Sequence, residues 1–151
     1  MADSKRQRIV SAAITRMQAI NGTGSYETNV GGRVKDSETN WAEDQSTLPA
    51  ISVFDGEASA TPTSTGKTLG TIHSMPLLFI YFVKQGTTAA ACRKGIKDML
   101  TAIRQDDKFG GLLMQSREVR NNIVRNKDTF EVEGAEVEIE AQFITNKFNA
   151  E

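Results

Sequence analysis

Apolar positions recur along the chain in two different periods, and those periods divide it into elements. Ile9, Val10, Ala13, Ile14, Met17 and Ile20 repeat every three to four residues. That spacing predicts an amphipathic helix from about Ser4 to Ile20. Asp3 or Ser4 supplies the N-cap oxygen, and Asn21-Gly22 stops the helix. Cys92, Ile96, Met99, Leu100 and Ile103 repeat in the same way, predicting a second helix from Thr87 or Thr88 to about Gln105. Arg93, Lys94, Lys97, Asp98 and Arg104 are assigned to its wet face. Gly95 costs about 1 kcal/mol against alanine there, which suggests a close helix–sheet contact.

The other period is two. Ala135, Val137, Ile139, Ala141 and Phe143 alternate with Glu136, Glu138, Glu140 and Gln142, the pattern of a strand with one buried face. Tyr26–Lys35 reads as a strand weakened at Gly31-Gly32, where a bulge or a close backbone approach is expected. Ala50–Phe54 reads as a short strand, as do Leu69–Ser74 and Leu77–Lys84, with Pro76 at a kink or start. LLFIYFV, residues 77–83, is apolar throughout and predicts a central strand covered on both faces. Residues 36–48 and 55–68 read as long loops, the second a connection or exposed hairpin tip. Phe109-Gly110-Gly111 reads as a loop before a short apolar stretch, and 146–151 as a frayed end. The order predicts one α+β domain over 1–151, a mixed, mainly antiparallel sheet flanked by two main helices.

Charge adds a pairing. Arg117, Arg120, Arg125 and Lys127 lie in one segment and Glu131, Glu133, Glu136, Glu138 and Glu140 in the next. Antiparallel pairing of the two sets opposite charges across from each other, worth about 0.2–1 kcal/mol per good pair. The whole chain, 151 residues at net charge −1, has no global attraction for nucleic acid or an anionic membrane. Its longest apolar run falls far short of the ~20 residues of a spanning helix. The N-terminal segment reads as an amphipathic helix rather than a signal peptide.

Candidate chemistry is sparse. Thr61–Thr68, TPTSTGKT, imitates a phosphate-binding loop, but Thr61 stands where the first glycine is needed and Pro62 removes a donor. His73 and Cys92 are each the sole residue of their type, so a structural zinc site within one chain is disfavoured. A single cysteine excludes an intrachain disulfide and suits a reducing compartment. Glu136, Glu138 and Glu140 share a face that bears on a divalent cation at a subunit boundary; ion pairing with the arginines is the simpler reading. These features predict no catalytic residues, no cofactor and no metal. Trp41 either folds back onto the core or anchors a partner. The candidate contact residues are therefore Trp41, Glu43, Arg117, Arg120, Arg125, Glu136, Glu138 and Glu140.

The order of elements, with ITRMQAI ending the first helix, NVGGRV, LPAISVFDGEA, the long apolar strand, DDKFGGLLMQ and EVEIEAQFITNKF, resembles tail terminator proteins of long-tailed bacteriophages across nearly the whole chain. The resemblance implies a structural virion protein. Its copies would form a homohexameric ring that caps the tail tube, ends tube polymerisation and joins the head connector. The implied partners are itself, the tail tube protein and a connector or neck protein, with DNA passing through the lumen without specific binding. The implied location is the head-proximal end of the virion tail, after assembly in the bacterial host cytoplasm. The alternatives are another tail or neck component, such as a tube or head-completion subunit, or a small nucleotide- or ligand-binding domain.

Overall fold

The computed structural model describes residues 4–62 and 70–146. Helix α1 spans Lys5–Gln18, and the Ser4 hydroxyl accepts the Gln7 N–H as its cap. Its buried stripe is Ile9, Val10, Ala13 and Met17, continued by Ile20. Strand β1 is Val34–Asp36, β2 Ala50–Asp55, β3 Ser59–Pro62 and β4 Gly70–Phe82. Helix α2 follows at Ala89–Arg104, capped by the Thr88 hydroxyl. Strands β5, Gln115–Arg125, and β6, Val132–Asn146, close the chain.

The sheet order is β1-β2-β4-β6-β5, with β3 also paired to β4. Only β1 and β2 run parallel, so the sheet is mixed and mainly antiparallel, in one α+β domain. Both helices pack on one face. There Ile51 and Val53 of β2, Met75, Leu77, Phe79 and Tyr81 of β4, and Ala135, Val137 and Ile139 of β6 form the core with the helix stripes.

Several expectations are corrected. Tyr26–Lys35 is not a strand: Val30–Gly32 is a turn of 3-10 helix, and only Val34–Asp36 pairs. The close backbone approach expected at Gly31-Gly32 is present: Gly31 donates its N–H to the Ile20 carbonyl, at 2.8 Å, so close to the end of α1 that a side chain would strike the backbone of Gln18. The two predicted strands around Pro76 are one strand, Gly70–Phe82, running through the proline. The Pro76 carbonyl accepts the Gly56 N–H, so its nitrogen faces the gap where β4's partner changes from β2 to β3. No donor is missed there. The 55–68 segment is not all loop, because Ser59–Pro62 pairs with β4. Asn146 is not frayed; it pairs with Gly70. Residues 147–151 and 63–69 lie outside the described residues.

Asp98, assigned to the wet face of α2, is fully buried. Its carboxylate accepts the N–H groups of Glu27 and Thr28 and the Thr28 hydroxyl, at 2.6–3.0 Å. Those amides are thereby satisfied away from any sheet neighbour, which is the physical reason that the 26–29 segment stays out of the sheet. Gly95 does mark a close helix–sheet contact: a Cβ there would lie 2.8 Å from the Tyr81 ring.

Candidate interaction surface

The face of the sheet turned away from the helices carries most of the candidate residues. On this outer face β6 presents Glu136, Glu138 and Glu140, opposite Ile80, Leu78 and Pro76 of β4. On its other side β6 meets β5, with Arg117 opposite Glu140 and Arg120 opposite Glu138. Arg117 Nη2 lies 3.1 Å from Glu140. Arg120 forks, with Nη1 2.9 Å from Glu136 and Nε 3.2 Å from Glu138.

Arg120 is three positions on from Arg117, so a regular strand would turn them to opposite faces. The register shift between Glu118 and Arg120 leaves Val119 unpaired and corrects the parity. The bulge thus re-aims Arg120 onto the outer face. Arg125 does not join this ladder. It stands opposite Val132 after a second irregularity, and its guanidinium donates to the Phe130 carbonyl.

LLFIYFV is not covered on both faces. Leu77, Phe79, Tyr81 and Val83 are buried, but Leu78, Ile80 and Phe82 are only half-buried. No second helix layer lies over them among the described residues; on β6, Leu78 and Ile80 face Glu138 and Glu136, whose apolar stems can lie along them, and Phe82 packs on the Trp41 cluster.

Trp41 is 6% exposed and packs with Leu48 and Ala50, against Phe82. Its indole N–H donates to the Ser52 hydroxyl at 2.8 Å, and the Lys35 ammonium lies 5.1 Å from the ring centroid. The 37–48 segment is therefore seated on the sheet through two short 3-10 turns, Trp41–Glu43 and Gln45–Thr47. Trp41 takes the core position rather than that of an exposed anchor. Glu43 is exposed. The Trp41 cluster and the arginine ladder share the outer face but sit three strand spacings apart, about 14 Å, with β4 and β6 between. They do not converge on one point.

The sheet edge is the least satisfied part of the surface. β5 has no partner on its outer side among the described residues, and eight of its eleven residues are exposed. On it and beside it lie exposed large apolar side chains: Val119 at 46% within the strand, and Met114 at 47% and Phe130 at 70% near its ends. Sequence reading found the charges of this region but missed its edge position and Phe130. A lone phenylalanine between Thr129 and Glu131 carries no periodic signal.

Elsewhere the chemistry is quiet. Burial pushes the Cys92 thiol up, away from the reactive thiolate. The His73 ring stacks on Phe143 at 4.8 Å and meets the Thr145 hydroxyl at 2.9 Å, a packed structural setting. Of the phosphate-loop imitation, Thr61 and Pro62 belong to β3, and 63–68 lies outside the described residues. Among the described residues no three His, Cys, Asp or Glu side chains are grouped to hold a metal ion. No helix among them is long and apolar enough to cross a membrane. No protein-family model matches the chain, and no curated protein matches it.

Proposed function

We propose that the protein is a structural, non-catalytic virion subunit of the tail-terminator type. Its copies assemble into a homohexameric ring at the head-proximal end of a phage tail tube. The ring ends tube polymerisation and gives the head connector or neck a surface to join. The observation that carries the self-assembly reading is the edge of β5, an eleven-residue strand with eight exposed residues and no outer neighbour among the described residues. Such an edge is a template for pairing with another chain. The bulge at Val119 and the flanking charges limit that pairing to a partner that matches them. The further step, from a self-assembling subunit to a terminator, rests on the likeness of element order and local sequence. A near-neutral chain also suits a ring through which DNA passes without being held.

The test is mass measurement and electron microscopy of the purified protein, alone and with tail tubes. Six-fold rings of fixed height, seated at one tube end, are the expected result. A strict monomer that ignores tubes would sink the proposal, and long tubes of this chain alone would make it a tube subunit instead. A thermal shift with millimolar nucleotide and magnesium would favour a ligand-binding domain.

A further inference from the structure

The two ends of β5 carry unlike features that fit each other. Beyond its C-terminal end, the turn to β6 displays Phe130 with 70% of its surface exposed. Several hydrogen bonds hold this turn. The Asn126 carbonyl accepts the Phe130 N–H at 3.0 Å, and the Asn126 side chain accepts the N–H groups of Asp128 and Thr129. Phe130 itself is held at φ 60°, and its carbonyl is taken by Arg125. A turn fixed by this many bonds loses little freedom when it docks.

Beside the N-terminal end of β5 is a cavity of about 230 Å³ between α2 and the sheet. Leu100, Ile103 and Ile139 give it apolar walls, while Arg104, Asp107 and Glu118 form its rim. An enclosed apolar cavity of about 150 Å³ takes up benzene; this pocket is open to the surface and part polar, and its volume leaves room for a phenyl ring against the Leu100, Ile103 and Ile139 wall. Arg104, paired with Glu118 at 3.6 Å, offers the ring a cation at the rim. The charges match as well. Lys127, three residues before Phe130, is exposed and makes no ion pair among the described residues, and the same holds for Asp107 on the rim.

We infer that Phe130 of one copy seats in this cavity of a second copy, with Lys127 meeting Asp107 across the contact. The occupant is another copy of this chain. Knob and cavity lie about 30 Å apart along β5 at strand rise, so one copy cannot fill its own cavity. Each copy donates one knob and receives one; two copies that exchange knobs close as a two-fold dimer, and a head-to-tail series closes into a ring or runs on as a filament. The inference deepens the ring proposal and rests on it only for how the assembly closes.

The experiment uses the full chain and follows assembly against concentration by light scattering. Phe130→Glu and Phe130→Ala should each raise the assembly midpoint at least tenfold while leaving circular dichroism unchanged. Lys127→Glu and Asp107→Lys should each weaken assembly, and the double exchange should restore it. In a mixture of Lys127→Cys and Asp107→Cys proteins, mild oxidation should give a disulfide between copies. Rings that form at the wild-type midpoint in Phe130→Glu, with no mixed disulfide, overturn the knob contact and leave the ring standing. Mixed disulfides without rings overturn the ring and leave the contact. A monomer with no disulfide overturns both.

Discussion

Removing the carboxylate of Asp98 should unlatch the 26–29 segment from α2. The side chain is fully buried and receives two backbone N–H groups and one hydroxyl. Hydrogen bonds to a charged group contribute about 1.5–3 kcal/mol each, and a buried donor left unpaired costs about 1–3 kcal/mol. The three share one acceptor, and the freed Thr28 hydroxyl can turn to water, so the sum overstates the loss; about 3–5 kcal/mol is expected for Asp98→Ala. Against a total stability of about 5–15 kcal/mol this is large. It lowers the urea midpoint by about 2 M if the slope is about 2 kcal/mol/M. Asp98→Asn should fall nearly as far, because its amide turns a donor toward donors. Amide exchange adds a local readout: the protected N–H groups of Glu27 and Thr28 should exchange freely in both variants. A loss under about 1 kcal/mol, with those amides still protected, would refute the claim that this carboxylate organises the segment.

Other consequences follow from the sheet and from the helix packed on it. Arg120→Ala leaves Glu136 and Glu138 without their shared cation; denaturation should show about 1 kcal/mol lost at low ionic strength and a smaller loss at 1 M salt, where the screening length shrinks to about 3 Å, near the pair separations. A loss that ignores salt contradicts the ladder. Tyr81 is pushed up to about 12 by burial first, then by the neighbouring Cys92 and Asp98, against the opposing Arg33. Its folded value lies above its unfolded one of about 10, so the stability it supports is complete below pH 10 and drains away toward pH 12, by at most about 3 kcal/mol. Tyr81→Phe should flatten that alkaline decline, and an unchanged pH profile would argue against the assignment. Gly95→Ala gains about 1 kcal/mol of helix propensity yet forces a methyl into the Tyr81 ring, so a net loss of about 1–2 kcal/mol is expected; a stabilised variant would show that the ring gives way.

What could be read in advance was set by local period. The β6 alternation survives because its inward residues join the core and its outward glutamates face the arginines of β5. The helix stripes survive for the same reason. Tyr26–Lys35 misled because its fate was decided by Asp98, seventy residues away in the chain and hidden among lysines. Its position is three residues past Gly95 and four before Ala102, both buried, so helical spacing did place it on the inner face. The arginine ladder was legible in its charges but not in its geometry, since the bulge at Val119 has no residue signature of its own. LLFIYFV misled because half-cover, by the Trp41 cluster over Phe82 and glutamates beside Leu78 and Ile80, and full cover by a second helix layer ask for the same apolar residues on a strand.

The seat of Trp41 has a spectroscopic consequence. It is the only tryptophan in the chain, and it occupies the side of the sheet opposite both helices. Its emission therefore senses one place: the dry pocket built by Leu48, Ala50 and Phe82, beneath the Lys35 ammonium. Helical circular dichroism senses the other side. Followed together through one unfolding transition, the two signals time the release of a surface segment against the melting of the core. They do so without any added label.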